Sequence, residues 1–139
     1  MKLVGFNFKK IHIEKISDSL KGLNLNTKIH IDDISSIDSK LFKDEEEDLI
    51  KITFTYNINY DPDIAKIELS GNLLLSIEKT LSKGIIEGWK ERKMSEDFRI
   101  ILFNLILKKS NVKALELEEQ MNLPLHIPLP TLKKPDKKE

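Results

Sequence analysis

Three histidines, His12, His30 and His126, are the first side chains to weigh for chemistry, because an imidazole can ligate a metal or move a proton near neutral pH. None stands at metal-ligand spacing from another, and the chain has no cysteine, which removes thiolate metal sites, disulfides and a cysteine nucleophile. His12 and His30 fall at polar positions of alternating segments, which suits a surface or edge role. The acidic run Asp44 to Asp48, "DEEED", lacks the spaced oxygens and turn glycine of a calcium loop and reads as a solvated loop. Asp61 and Asp63 resemble a carboxylate pair for acid–base work, but Pro62 between them marks a turn. No serine, threonine or lysine stands in a nucleophile motif, and there is no glycine-rich phosphate loop. The expectation is a protein that is not an enzyme, with no cofactor and no metal.

Charge and aromatic placement bear on nucleic acid. Lysine plus arginine and aspartate plus glutamate both number 23, so the net charge is zero and no global field gathers phosphate. Phe6, Phe8, Phe54, Tyr56 and Tyr60 would make a base-stacking platform only if cations interleaved them, and instead they share the parity of aliphatic residues. No nucleic-acid partner is expected. The start "MKLVGFNFKKIHIE" alternates where a signal peptide needs an unbroken apolar run, and "IILFNLIL" is too short for a membrane span. These features favour a soluble, cytoplasmic protein without membrane insertion.

The elements that would carry any site follow from periodicity. Val4, Phe6 and Phe8 alternate, then Ile11 and Ile13 continue on the opposite parity, which predicts a long first strand with a bulge near Lys9 and Lys10. Leu25, Thr27, Ile29 and Ile31 make a second strand, and Ile50 to Tyr60 a third with one apolar face. "DPD" turns the chain into a fourth, with Ile67, Leu69, Gly71, Leu73, Leu75 and Ile77 facing inward. Consecutive pairing would make an antiparallel meander covered on one face.

From Glu78 the period becomes helical, with Leu81, Ile85 and Trp89 on one stripe flanked by Gly84 and Gly88. Ser95, Glu96 and Asp97 form a helix start, and a long helix is expected over 95–109. Phe98, Ile101, Leu102, Leu105 and Ile106 make one apolar face, while Ile100, Phe103 and Leu107 lie nearly opposite. A helix apolar on two sides needs two partners. After "KKSN" a short helix over 112–121 turns Ala114, Leu117 and Met121 inward and Glu116, Glu118 and Glu119 to water. Last comes "LPLHIPLPTL", residues 123–132, whose prolines keep it extended as an apolar strap. The fold class is therefore α+β: a four-stranded antiparallel β-sheet followed by two or three α-helices packed on one face. A single domain over residues 1–132 and a charged tail over 133–139 are expected.

This order resembles the SecB-type export chaperones. "FNFKKIHIEKIS" is similar to the family's first strand, "IAKIELSGNLLLSIE" to its fourth with Gly71 at the strand glycine, "ILFNLILKKSN" to its main helix and "LPLHIPLP" to its proline-framed ending. "KMSED" replaces the family's cysteine–proline lead into that helix. The resemblance implies an ATP-independent holdase, linked to protein export, that binds unfolded or non-native polypeptides in apolar grooves and assembles with itself as a dimer of dimers. The groove residues expected here are Leu41, Phe42, Ile100, Phe103, Leu107, Leu125, Ile127 and Leu129. In the family the outer sheet face is acidic and docks a translocation motor; here it carries Thr53, Thr55, Asn57, Asn59, Lys66, Ser70 and Asn72 with Glu68, which argues against the same docking. The alternative is a small adaptor of the same shape that binds one specific partner.

Overall fold

A computed structural model describes residues 1–38 and 46–135. Strands β1 (Lys2–Lys15), β2 (Asn24–Ile37), β3 (Glu47–Asp61) and β4 (Ala65–Glu78) precede helices α1 (Lys79–Lys90) and α2 (Glu96–Gln120). The sheet is antiparallel in the order β1-β4-β3-β2. Only β2, β3 and β4 form a meander, because β1 lies beside β4 instead of β2, which corrects the consecutive pairing expected from sequence. Alternation reports which face a residue takes; it carries no information about neighbouring strands. The chain passes from β1 to β2 across the tip of the β3–β4 hairpin, where the Ile16 and Ser17 N–H groups donate to the Ile64 carbonyl at 2.8 and 3.1 Å. In that tip Asp63 takes a φ of 47°, a left-handed geometry that aspartate tolerates in turns.

The inner faces of β3 and β4 are closed as the alternation requires, with Ile50, Ile52, Phe54, Tyr56, Ile58, Tyr60, Ile67, Leu69, Leu73, Leu75 and Ile77 all buried. Gly71 sits between Phe54 on β3 and Phe8 on β1. A Cβ there would lie 2.1 Å from the Asn7 carbonyl oxygen, so only glycine lets β1 approach. Phe6, Phe8 and Phe54 cluster beside it with centroids 5.1 to 6.4 Å apart. The register shift between Phe8 and Lys10 is the expected bulge, and beyond it Ile13 packs on the core. A second shift, between Leu3 and Gly5, puts Leu3 against the core and leaves Val4 exposed, against the expected parity.

Helix α1 turns Ser82, Ile85, Ile86 and Trp89 inward, while Leu81, expected on the same stripe, is 50% exposed. Gly88 lies so close to the following turn that a Cβ would meet the Lys93 carbonyl oxygen at 2.9 Å. Ser95 then caps α2, its Oγ accepting from the Phe98 N–H at 3.3 Å, with Glu96 and Asp97 in the first turn.

Helix α2 runs without interruption from Glu96 to Gln120, where the sequence suggested two helices parted at "KKSN". Serine and asparagine are weak helix formers, but here Ser110 is buried against the sheet and Asn111 bonds to Tyr56, so tertiary contacts outweigh local preference. The buried stripe is Phe98, Leu102, Ile106, Ser110, Ala114, Leu117 and Glu118. Its first half packs with Ile50, Ile52, Leu73 and Leu75, its second with Ile58, Tyr60, Ile67 and Leu69, giving two adjoining cores. Phe103 and Leu107 flank the stripe and pack on these cores, so they do not form a separate outer face; Ile100 and Ile101 are exposed.

Candidate functional site

An open cleft of about 720 Å³ lies where the far end of β2 meets α1 and the start of α2. Ile34, Ile85, Met94 and Phe98 line it, with the exposed Leu81 among them and Gly84 and Gly88 forming a low helical wall. Nothing lies within 4 Å of the Cβ position of Gly84, so the missing side chain widens the cleft. Glu78 and Lys93 also border it. Apolar walls with few polar groups suit apolar side chains offered by another molecule. Among the described residues there is no group of three or more histidine, aspartate or glutamate side chains placed to hold a metal.

The groove residues expected from sequence lie elsewhere. Leu41 and Phe42 fall outside the described residues. Ile100 is exposed on α2, Phe103 and Leu107 are half-buried on the cores, Leu125 and Ile127 are half-buried in the strap, and Leu129 is exposed. None of these six lines the cleft. The cleft was faintly legible in the two glycines beside the Leu81–Ile85–Trp89 stripe, but nothing in the sequence placed β2 opposite them.

The strap is seated by polar side chains. The Tyr56 hydroxyl donates to Asn111 Oδ1 at 2.7 Å. The Tyr60 hydroxyl lies in bonding distance of both the Glu118 carboxylate and the Pro124 carbonyl, the latter at 2.7 Å. Glu118 Oε1 in turn stands 2.7 Å from His126 Nδ1 and accepts from the His126 backbone N–H at 3.3 Å. His126 Nε2 faces Asn111 Oδ1 and the Tyr56 hydroxyl, both at 3.1 Å. The Glu118 and His126 side chains are 0% and 4% exposed, which corrects the reading of Glu118 as a solvent-facing residue. Continuing α2 through Ser110 sets its rotation, and that rotation carries Glu118 inward. Burial, reinforced by the neighbouring Glu118, pushes both phenols well above their ordinary titration range, so they persist as donors.

The outer sheet face is knit by exposed pairs: Lys10 to Glu68 at 2.5 Å, Glu14 to both Lys66 and His12 at 3.5 Å, and the Thr55 hydroxyl donating to Asp32 at 2.6 Å. The hydrogen bond from Lys10 holds the Glu68 carboxyl below the usual range. Such exposed pairs contribute little to stability.

Neither a family model nor a curated protein sequence matches the chain. Among solved structures it is similar to the Mycobacterium tuberculosis Rv1957 SecB-like chaperone in complex with a ChAD peptide from the Rv1956 HigA1 antitoxin, with a TM-score of 0.51 and 12% identity over 97% of this chain and 92% of that one. The α+β arrangement of a four-stranded antiparallel sheet followed by two helices is thus a SecB-like fold. Among the described residues, no helix is long and apolar enough to cross a membrane.

Proposed function

We propose that this chain is a cytoplasmic, polypeptide-binding protein of the holdase kind, which keeps apolar stretches of non-native chains out of water without nucleotide, cofactor or catalysis. The cleft between β2, α1 and α2 carries the reading: it is open, apolar and adjacent to the free edge of β2, where an extended segment can set alternate side chains inward. Exposed Ile100 and Ile101 add apolar surface on α2, and with the strap they are the wider surface a long client would use. The SecB-like fold, and the peptide held by the similar mycobacterial protein, support the same class.

A specific adaptor is the second reading, and it is favoured by the fact that the peptide in the similar complex comes from one named protein. Aggregation of a chemically denatured test protein, followed with and without this chain, separates them: broad suppression supports the holdase, whereas no suppression at several-fold molar excess leaves the adaptor. Leu81→Asp tests the location. Leu81 is half-exposed, so the variant is expected to keep the wild-type thermal midpoint while weakening client binding about tenfold, the loss that follows from removing one partly buried aliphatic contact. Unchanged binding would move the site off the cleft.

A further inference from the structure

The strap is bound to the rest of the chain in the manner of a foreign peptide. Leu123 still belongs to the helix end, its N–H donating to the Glu118 carbonyl at 2.9 Å, but among the described residues no backbone–backbone hydrogen bond holds residues 124–135. Side chains grip the main chain instead: the Tyr60 hydroxyl reaches the Pro124 carbonyl and the Glu118 carboxylate takes the His126 N–H. One side chain of the strap, His126, enters a pocket whose polar walls are Tyr56, Asn111 and Glu118, and one apolar side chain, Leu123, joins the core beside Ala114 and Leu117. Past Ile127 the grip ends, and Leu129 and Leu132 are 54% and 104% exposed. Strands of the sheet are fastened by ladders to their neighbours; among the described residues, this segment past Leu123 is held by side chains that would recognise another chain of like pattern.

We infer that the seat of the strap is a second polypeptide-binding site, kept shut by the chain's own residues 123–127, and that it admits a segment, bent at its histidine as the strap is, with an apolar residue three positions before that histidine. The inference rests on the polypeptide-binding reading for its biological use but not for its test. A buried polar pocket selects for a ligand that satisfies it, since an intruder without the imidazole would cost Glu118 and Asn111 their contacts with the ring and leave them their tyrosine partners alone. The tethered strap has an effective concentration on the order of millimolar, so it excludes free peptides until it is loosened.

The experiment uses the full chain carrying His126→Ala and a fluorescent peptide of sequence LPLHIPLPTL added in trans. His126→Ala weakens the tethered strap while leaving Tyr56, Tyr60, Asn111 and Glu118 in place to receive the peptide's own histidine. The variant is expected to bind the peptide at least about tenfold more tightly than the wild type does, and more tightly than it binds the same peptide with alanine for histidine. Equal, weak binding of both peptides by a variant that circular dichroism shows to be folded overturns the inference. Should the variant not fold, hydrogen exchange on the wild type decides: the His126 amide is expected to exchange through a local opening that leaves the Tyr60 amide protected, and exchange of both only on global unfolding overturns the inference. Aggregation suppression is measured separately, so its failure removes the holdase reading without touching these outcomes.

Discussion

Single atoms decide several of the contacts that hold this molecule. At Gly71 the Asn7 carbonyl occupies the place of a side chain, whereas Gly84 borders open space. Gly71→Ala must push β1 off β4 and is expected to cost roughly 3 kcal/mol in urea denaturation, while Gly84→Ala is expected to add about 0.5 to 1 kcal/mol by helix propensity. The two tyrosines of the chain are both in the clasp around the strap. Their folded titration lies above the ordinary value of 10.0, so the folded state holds these protons more tightly and the associated stability is complete below that pH and lost as pH rises past it. Tyrosinate absorbance is therefore expected to appear together with loss of circular dichroism on alkaline titration; phenols that ionise before unfolding would contradict the buried clasp. None of this was legible in the residues alone. Tyr56 and Tyr60 carry the parity of aliphatic neighbours, and their hydroxyls acquire partners only when α2 and the strap arrive.

Among the elements, the strands are the most legible in the sequence. Strict alternation over Ile50 to Tyr60 and Ile67 to Ile77 marks both faces, and the β3–β4 register pairs Tyr56 with Leu69 and Phe54 with Gly71 as the intervening turn requires. Helix α2 departs from its local sequence signal at Ser110 and Asn111, whose local preference is to end helices and whose surroundings keep this one going. Ser110 Oγ is buried and finds no hydrogen-bond partner among the described residues. Ser110→Ala removes that orphan and improves propensity, so it is expected to raise stability by about 0.5 to 1 kcal/mol in thermal or urea unfolding. Destabilisation instead would mean that the hydroxyl has a partner in solution. The cleft was harder to foresee than either element, because its walls come from β2 and the two helices, and periodicity describes one segment at a time.

For the whole molecule, the outer side of α2 shows Ile100 and Ile101, 50% and 43% exposed, with Val112 at 67% three turns on. We propose that these exposed aliphatic side chains, set along one helix, also meet another copy of the chain. Light scattering at micromolar concentration is expected to show a homo-oligomer, a dimer of dimers in the assembly we favour, and Ile100→Glu with Val112→Glu to shift it toward monomer; a monomeric wild type removes the self-association. The sheet order has a consequence for how the chain reaches this state. Lys2 pairs with Ser76, and Lys15 with Ala65, so the first of the four strands to be made waits for the last of the four. The hairpin of β3 and β4, joined by a short turn, closes quickly, but β1 pays the loop entropy of the entire stretch between. Until β4 emerges, Phe6 and Phe8 have no ladder to join, and a chain proposed to shelter others is, during its own synthesis, briefly in need of shelter.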